Sequence, residues 1–403
     1  MFSESRSCCR FILQSINSIG IIISRAEVWI NGTIFPITQL RQIMRKKIHV
    51  AVIYNEPVTQ TESERKFVTA SGELLEGARE QNGVTTLTDL SEVGVLEERT
   101  DIANALQSVG FKSSIFNVDS NIMRLIDFLR NTQPDVIFNL CESVGNEAIH
   151  EMHVAGMYEL MGIPYTGAGP LALGIALNKV RVKEILLSNG LPTPRYQLVE
   201  SPIKITLDEN MNFPLIVKPA REDASVGISS DSVVYSLSDM KKRVRFIFEQ
   251  FDQPALVEEY IDGRELNVAV LGNRKPTVLP ISEIDMSTLP KQYHRIISYN
   301  AKWMKGTDEY EHTKGVCPAK ISSELETTMK EMALKAFHLV GCRDYARVDF
   351  RLTNKNKPYI LEVNPNPDIS DDAGFARSAR AHGFKFEELI SKIVELAIER
   401  SAL

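Results

Sequence analysis

Cysteine and long apolar runs are scarce in this sequence of 403 residues. The five cysteines include no C-x-x-C pair and no His/Cys spacing of a zinc site. The most apolar early run, residues 16–23, is too short and too interrupted to span a bilayer. The formal net charge is −6, without any long Lys/Arg block. These absences predict a reducing, cytoplasmic location and argue against nucleic-acid and membrane partners, although a local basic pocket stays open.

The composition is otherwise that of a globular protein, 43% hydrophobic and 24% charged, which is enough for two or three domains with cores. Residues 1–43 fit this picture poorly. Met44 is followed almost at once by the buried-strand pattern of residues 48–54, so we interpret residues 1–43 as a non-structured extension or a mis-assigned start. A weaker alternative is an organellar targeting segment. It is supported by three arginines among serines: Arg6, Arg10 and Arg25.

The next part of the chain alternates strands and helices. After the opening strand, residues 56–95 are polar and weakly periodic, which predicts a long mobile excursion. A helix follows at residues 96–110, then a buried strand at 134–140 and a helix at 151–162. This order is typical of a small parallel sheet.

The pattern then changes. The segment "LALGIALNKVRVKEILLSNGLPTP" predicts one long helix with Lys179 and Lys183 on one side. A strand ends at Lys218-Pro219 and runs into a loop of small residues, "DASVG". Two apolar strands follow around a turn at Asp262-Gly263, and an amphipathic helix ends the chain.

The stretch "YARVDFRLTNKNKPYILEVNPNPDIS", residues 345–370, alternates apolar with polar residues and has a polar turn in its middle. A hairpin turn centred on the bond after Lys355 places Asp349 directly opposite Glu362. Asn364 lies two residues further along the second strand and therefore on the same face. Three oxygen ligands would share one face of the hairpin.

Two opposed carboxylates on neighbouring strands repel each other unless a cation lies between them. Carboxylate and amide oxygens without His or Cys favour a hard cation such as Mg²⁺. Arg347 lies two residues before Asp349 on the same face and could stabilise an anionic intermediate or a phosphate. The alternative is a solvated hairpin face that binds no ligand.

Other residues suit phosphate binding. Lys218 at a strand end and the backbone of the "DASVG" loop could contact phosphate oxygens closely. This loop lacks the Gly-Lys-Ser/Thr ending of a Walker loop, so an ordinary strand-exit turn is the alternative. Lys179 and Lys302 are further candidate phosphate ligands, with a solvated surface lysine as the alternative for each.

Seven blocks occur in this order: Lys179, "VKPAREDASVG", "LVEEYIDGRE", "NAKW", "CPA", "ARVDF" and "YILEVNPNP". The order resembles the ATP-grasp superfamily and, within it, the D-alanine–D-alanine ligase family, over about residues 134–400. The resemblance implies an α/β fold of three domains. These are an N-terminal parallel α/β domain at 44–166, a central ATP-grasp domain at 167–262 and a C-terminal catalytic ATP-grasp domain at 263–403, the last two with antiparallel sheets.

The resemblance also implies a role for each matching residue. The lysines that contact ATP phosphates correspond to Lys179, Lys218 and Lys302, and the loop that covers the phosphates to Ser225, Val226 and Gly227. The adenine hinge corresponds to Glu258, Glu259 and Ile261, and the acid that binds the ribose to Glu265. The magnesium ligands correspond to Asp349, Glu362 and Asn364. The catalytic set corresponds to Arg347, which stabilises the tetrahedral intermediate, with Lys302 and Ser225.

The chemistry implied by the resemblance is ATP-dependent amide formation. A substrate carboxylate attacks the γ-phosphate of ATP, and an amine then displaces phosphate from the acyl phosphate. The cofactors are ATP and two Mg²⁺ ions, with Mn²⁺ as an alternative metal. The substrates are small molecules, an amino acid or other carboxylate plus an amine, and by analogy a homodimer could form through residues 101–107.

The sequence departs from the family pattern at the substrate end. After Asn364 the family has Thr-x-Pro-Gly-Met-Thr, whose glycine amide helps to bind the oxyanion, and a downstream serine holds the acceptor carboxylate. Here Asp368 stands in the place of the glycine, followed by Ser370. Because a negative charge disfavours an acceptor carboxylate, Asp368, Asp371 or Asp372 could attract an amine or cationic acceptor instead.

The N-terminal part also departs from the pattern, with "YNEP" after the first strand and "FNLCES" where the family has a His-Gly pair. Glu98 is the candidate for binding the ammonium group of the first substrate. We therefore predict a carboxylate–amine ligase that joins amino acids and whose acceptor is not D-alanine. The alternatives are a genuine D-alanine–D-alanine ligase of cell-wall synthesis and a catalytically inactive nucleotide-binding regulatory protein.

Overall fold

The structure is a computed structural model. It describes residues 27–30, 33–36, 48–56, 59–61, 79–81, 84–88, 90–145, 147–222, 224–371 and 373–401. The strands are β1 (Glu27–Ile30), β2 (Thr33–Pro36), β3 (His49–Tyr54), β4 (Thr59–Thr61), β5 (Arg79–Gln81), β6 (Val84–Thr88), β7 (Lys112–Asn117), β8 (Val136–Leu140), β9 (Tyr196–Val199), β10 (Leu215–Pro219), β11 (Val233–Val234), β12 (Ala255–Glu259), β13 (Gly263–Leu271), β14 (Thr277–Val278), β15 (Ser282–Asp285), β16 (Lys314–Val316), β17 (Tyr345–Thr353) and β18 (Pro358–Pro365).

The α-helices are α1 (Leu90–Ser108), α2 (Ile122–Thr132), α3 (His150–Met161), α4 (Pro170–Leu177), α5 (Lys179–Ser188), α6 (Leu237–Phe251), α7 (Tyr299–Trp303), α8 (Asp308–Glu311), α9 (Ser323–Val340), α10 (Gly374–His382) and α11 (Phe386–Ser401). A 3₁₀ turn lies at Ser230–Ser232. Within the described residues, no helix is long and apolar enough to cross a membrane.

The N-terminal sheet is parallel, as predicted, with strand order β7-β3-β8. Strand β3 is buried at all six positions, because helices cover both faces of a parallel sheet. An isolated parallel bridge from Ile137 to Tyr165 extends the sheet on the β8 side. The carboxyl ends of β3 and β8 therefore meet at one edge, where the segments after Tyr54 and Leu140 begin.

Two early segments contain structure that the sequence did not predict. Within the excursion expected at residues 56–95, strands β4, β6 and β5 form a small antiparallel sheet, and α1 begins at Leu90 rather than Leu96. A glycine inside a helix costs only about 1 kcal/mol, so Gly94 does not end α1. Strands β1 and β2 pair within residues 1–43. The other residues of both segments lie outside the described ranges, and the predictions about them stay untested.

The central sheet is antiparallel, with order β11-β10-β12-β9, and α6 packs against it through an apolar core that includes Val217, Met240, Val244 and Val257. Ser236 caps α6, since its side chain accepts a hydrogen bond from the Asp239 backbone N–H. The sheet thus has one face covered by a helix. Its opposite face is free to line a cleft.

The C-terminal sheet is also antiparallel, in the order β16-β15-β13-β17-β18 with β14 beside β13. Helix α9 covers one face through side chains such as Met329 and Phe337. At one end of this sheet, Leu271 and Tyr345 share a core with residues of α10 and α11 and of the N-terminal sheet. This packing brings the N-terminal sheet against the C-terminal one, beside the start of α10.

The prediction of one long helix around Lys179 is wrong. The chain breaks at Asn178, which has an extended backbone and a side chain that accepts a hydrogen bond from the Arg181 backbone N–H. Asparagine competes for backbone hydrogen bonds in this way, so it ends α4 and caps α5 at once. The break gives α5 a new direction and places Lys179 at its first position.

The strands around Asp262-Gly263 are confirmed, but they do not pair with each other. Strand β12 belongs to the central sheet and β13 to the C-terminal sheet. The short segment from Tyr260 to Asp262 is therefore the place where the chain crosses between the two sheets. A Cβ at Gly263 would lie 2.1 Å from the carbonyl oxygen of Leu352, so only glycine allows this close approach of β13 and β17.

The predicted pairing of Asp349 with Glu362 is confirmed, although for a different reason. Near the turn Phe350 pairs with Ile360, which centres the turn on Lys355 rather than on the bond after it. A bulge that leaves Leu361 unpaired then shifts the register by one residue and restores the pair of carboxylates.

Candidate active site

A cleft with about 750 Å³ of empty space, open solvent included, lies between the central and C-terminal sheets. Apolar side chains line part of it, including Ile216, Ile228, Ile296 and Leu361. Nine of the predicted site residues line it: Lys179, Lys218, Ser225, Glu258, Glu259, Ile261, Glu265, Asp349 and Glu362. The two sheets thus bring together residues that are far apart in sequence.

Lys179 and Lys218 give one end of the cleft a positive charge. The Lys179 ammonium donates to the Glu222 carbonyl oxygen at 2.5 Å and lies 3.9 Å from Glu362 Oε2. The Lys218 ammonium lies 2.8 Å from Glu258 Oε2. Both lysines are buried, which excludes the alternative of a solvated surface lysine for Lys179.

The predicted phosphate-covering loop has an unusual backbone. Ala224, Ser225 and Gly227 all have positive φ angles, and such a turn can direct successive N–H groups into one concavity. The loop is held from outside, because Trp303 Nε1 donates to the Ala224 carbonyl and Arg243 to the Gly227 carbonyl. Ser225 lines the cleft, whereas Val226 and Gly227 do not.

The crossing between the sheets forms the predicted hinge. Glu258 is 1% exposed and lies between two ammonium groups, those of Lys183 and Lys218, each 2.8 Å away. Burial alone would raise the pKa of Glu258, but the two lysines outweigh it and lower that pKa. Glu259 and Ile261 line the cleft beside it. The sequence analysis assigned no role to Lys183. The only feature that pointed to it was its spacing of one helical turn from Lys179.

Glu265 is also paired. Its carboxylate lies 2.9 Å from Arg351 Nη2, and both side chains line the cleft. Burial raises the pKa of Glu265 more than Arg351 lowers it. The sequence analysis did not identify Arg351, because in the sequence it is only one of several charged residues on the hairpin strands.

The predicted metal ligands converge on β17 and β18. Arg347 donates two hydrogen bonds to Asp349, at 2.8 and 2.9 Å. The Asn364 side-chain amide donates to Asp349 Oδ2 at 2.8 Å and to Glu362 Oε1 at 3.2 Å. Asn267, opposite Asp349 on β13, donates to Asp349 Oδ1 at 2.6 Å. All of these groups lie on one face of the sheet.

Donors and cations offset the repulsion between the two carboxylates. Burial would raise the pKa of Glu362, but Lys179, Lys218 and Arg347 outweigh it and lower that pKa to about 2. Glu362 therefore supplies anionic oxygens, which suit a hard cation, beside the Asp349 carboxylate and the Asn364 amide. In the described part of the chain no group of three His, Cys, Asp or Glu side chains lies close enough together to hold a metal ion.

Comparison with known proteins supports this arrangement. A family model described as D-ala D-ala ligase C-terminus matches residues 185–395. A D-alanine–D-alanine ligase of Carboxydothermus hydrogenoformans is 37% identical over 260 residues, which cover 61% of this chain and 77% of that protein. An uncharacterized protein of Sinorhizobium fredii, y4sG, is 32% identical over 304 residues, 74% of this chain and 87% of that protein. The chain belongs to the D-alanine–D-alanine ligase family.

Solved structures agree on the fold. A D-alanine–D-alanine ligase from Bacillus anthracis, complexed with ATP, has a TM-score of 0.64 at 21% identity and covers 88% of this chain and 99% of that chain. The predicted ATP-grasp fold, with one parallel and two antiparallel sheets, is confirmed. Family membership also confirms the predicted class, an ATP-dependent, ADP-forming ligase.

A second, much smaller cavity of the ligase lies between the N-terminal sheet and the segment that joins β18 to α10. Four acidic side chains line it: Glu98, Glu142, Glu151 and Asp368. Glu98 accepts a hydrogen bond from the Ile369 backbone N–H at 3.2 Å. Two of the predicted substrate residues, Glu98 and Asp368, thus line one cavity, although 270 positions separate them in sequence.

The remaining predicted residues lie around this cavity. Ser370 lines neither cavity, and its backbone N–H and hydroxyl both donate to Asp368 Oδ1, at 2.8 and 2.6 Å. Asp371 pairs with Arg380 and is exposed, so it is not in the site. Asp372 lies outside the described residues. Lys302 lines neither cavity, and its pKa is lowered by burial and by Arg347.

The loop after β8 carries Glu142, which the sequence places at the end of a buried strand, facing the expected cleft. Asn55 Oδ1 accepts hydrogen bonds from the backbone N–H groups of Glu142 and Ser143, at 2.8 and 3.3 Å. Asn55 comes from "YNEP" and Glu142 from "FNLCES", so the two departures from the family pattern contact each other. Their only signal was that each follows a buried parallel strand.

Glu98 is expected to destabilise the fold at neutral pH. Burial raises its pKa well above the usual value, and Asp368 and Glu142 raise it further. A carboxyl group whose pKa is raised by folding weakens the fold as pH rises from its unfolded to its folded pKa. Glu98→Gln should therefore increase the free energy of unfolding at pH 8, by about 1.4 kcal/mol per unit of pKa difference, and leave it unchanged at low pH.

Urea denaturation at about pH 4 and pH 8 measures this effect, because the lower pH lies below the ordinary pKa of a glutamate. Glu97→Gln, at the exposed neighbouring position of the same helix, is the matched control and should change stability at neither pH. A Glu98→Gln variant that is less stable than the wild type at pH 8 would show that the carboxylate is compensated in the folded protein.

Proposed function

We propose that the chain is an ATP- and Mg²⁺-dependent carboxylate–amine ligase that works through an acyl phosphate. The observation that carries this proposal is that a set of lysines and a set of carboxylate and amide side chains meet at one cleft. Lys179 and Lys218 lie close to the Asp349, Glu362 and Asn364 set, with the Lys179 ammonium 3.9 Å from Glu362 Oε2. Phosphoryl transfer depends mainly on positioning and charge neutralisation, and these residues can provide both.

The first step joins a carboxylate to phosphate. A carboxylate oxygen of the donor attacks the γ-phosphorus of ATP, the bond from that phosphorus to the β,γ-bridging oxygen breaks, and ADP leaves. Lys179 and Lys218 hold the phosphate oxygens, and Ser225 with its loop covers them. Asp349, Glu362 and Asn364 would hold Mg²⁺, which would supply neutralisation of the charge on the phosphates.

The second step forms the amide. The acceptor nitrogen attacks the acyl carbon, the bond from that carbon to the phosphate oxygen breaks, and phosphate leaves while the nitrogen loses a proton. Arg347 lies on the same sheet face as Asp349 and can stabilise the oxyanion of the tetrahedral intermediate. Exclusion of water from the cleft protects the acyl phosphate from hydrolysis.

We propose further that the acceptor is an amine whose carboxylate is absent or distant. Asp368 and Glu142 line the second cavity together with Glu98 and Glu151, and negative charge at this cavity attracts an ammonium group and repels a carboxylate. A genuine D-alanine–D-alanine ligase is the second candidate, because a relative with that name is 37% identical. The relatives give no support to an inactive nucleotide-binding protein.

Asp368→Asn tests the choice of acceptor. It removes the charge and keeps an oxygen at the position that accepts from Ser370. We expect turnover with D-alanine as acceptor to rise about tenfold, equivalent to about 1.4 kcal/mol, and turnover with simple amines to fall. The measurement is phosphate release with pairwise mixtures of D- and L-amino acids and amines. Efficient turnover of the wild type with D-alanine alone, unchanged in the variant, would favour the second candidate.

A further inference from the structure

Lys183 lies behind the nucleotide cleft and not in its lining. Its side chain is fully buried, with 0% of its surface exposed. The ammonium group contacts Glu258 Oε1 and Thr193 Oγ1, each at 2.8 Å, and lies 5.8 Å from the centre of the Tyr196 ring. A lysine is rarely buried to this extent unless its charge is compensated. The catalytic steps above do not use it.

Glu258 holds two lysines with its two oxygens. Oε1 faces Lys183 and Oε2 faces Lys218, so the two contacts do not compete for one atom. The lysines differ in what else they can reach, because Lys218 lines the cleft and Lys183 does not. The Glu258 carboxylate therefore contacts two cations. Lys183 lies in the interior, whereas Lys218 can also reach a ligand in the cleft.

A phosphate in the cleft would draw Lys218 away from Glu258. If Lys218 were the only cation beside Glu258, its departure would leave a buried carboxylate without a partner, which is strongly unfavourable. We propose that Lys183 is a positioning residue that keeps Glu258 compensated and so frees Lys218 to bind an anionic ligand. This inference rests on the proposed function, since it takes ATP as that ligand.

The local fold explains why a lysine at this position can have this role. Helix α5 starts after the break at Asn178, and Lys179 and Lys183 are one helical turn apart. Lys179 faces the cleft, whereas Lys183, one turn deeper, reaches β12 at Glu258. Burial lowers the pKa of Lys183, and the Glu258 carboxylate raises it. Each side chain therefore stabilises the charged form of the other.

A double-mutant cycle on ATP affinity tests the proposal. The variants are Lys183→Met, Glu258→Gln and the double variant, each titrated with Mg-ATP by calorimetry. We expect Lys183→Met to weaken ATP binding by about 10- to 100-fold, because Lys218 then stays on Glu258. In the Glu258→Gln background the same substitution should change affinity by less than about threefold, since no carboxylate remains to hold Lys218.

Other results would overturn the proposal. An equal loss in both backgrounds would show that Lys183 acts through packing and not through Glu258, and no loss in the wild-type background would show that Lys218 is not restrained. Absence of ATP binding by the wild-type chain would instead refute the proposed function itself.

Two further variants separate charge from structure. Thr193→Val removes the neutral contact of Lys183 and should leave ATP affinity within about threefold. Lys183→Gln keeps a hydrogen-bond donor toward Thr193 but loses the charge. It should weaken ATP binding as Lys183→Met does, and it replaces that variant if Lys183→Met fails to fold in a thermal melt.

Discussion

Replacement of Glu362 by Gln lowers the turnover number for ATP-dependent amide formation by roughly 10³-fold, because several kcal/mol of charge stabilisation are lost with the carboxylate. Glu362 lies opposite Asp349 on the hairpin and 3.9 Å from Lys179. The substitution keeps the size of the side chain and removes the charge that would hold the metal. Phosphate release under saturating ATP and Mg²⁺ measures the loss.

Glu283→Gln is the matched control for this variant. Glu283 also lies on the C-terminal sheet and is bound by two hydrogen bonds from Arg264, at 2.6 Å each, but it lines neither cavity. Its substitution should leave turnover unchanged. Comparable turnover in Glu362→Gln and the wild type would mean that Glu362 is not a metal ligand.

Replacement of Arg347 by Met should also lower turnover by roughly 10³-fold, with a smaller effect on the KM for ATP. Removal of one oxyanion donor commonly costs about 10²- to 10³-fold, and a charged arginine at a phosphoryl-transfer site contributes more. Arg347 also holds both oxygens of Asp349, so the metal set would lose its orientation. Steady-state kinetics with varied ATP separate the two parameters.

Arg264→Met is the control for Arg347→Met, because Arg264 makes the same two-bond contact with a carboxylate on the same sheet. It should retain turnover even if it is slightly less stable. If Arg347→Met raises only the KM for ATP and leaves the turnover number intact, Arg347 binds the nucleotide and does not stabilise the intermediate.

The hairpin of β17 and β18 was predicted from the sequence only in part. Alternation along the strands placed Asp349, Glu362 and Asn364 on one face, since the side chains of a strand alternate strictly. The turn was predicted to be centred on the bond after Lys355, but it is centred on Lys355 itself. The bulge at Leu361 compensated for that error. Bulges follow from tertiary context, so a register predicted from the turn alone was correct by coincidence.

Other parts of the site could not be predicted from local pattern. The break at Asn178 depends on one side chain that caps α5, while the apolar spacing on both sides continues as for a single helix. The acidic cavity joins Glu98, Glu142 and Glu151 to Asp368 only through the packing of the N-terminal sheet against α10. The hinge roles came from the family resemblance alone, whereas the phosphate roles of Lys179, Lys218 and Lys302 were also suggested by the residues themselves.

Transfer of oxygen from a carboxylate to phosphate tests the central claim most directly. Racemic amino acids whose carboxylates have been exchanged in acidic H₂¹⁸O would be incubated with the protein, ATP, Mg²⁺ and unlabelled amines, and the phosphate analysed by mass spectrometry. An acyl phosphate predicts one ¹⁸O in each phosphate that accompanies amide and ADP formation. ADP formation with unlabelled phosphate, or formation of AMP and pyrophosphate, would contradict carboxylate activation by γ-phosphoryl transfer.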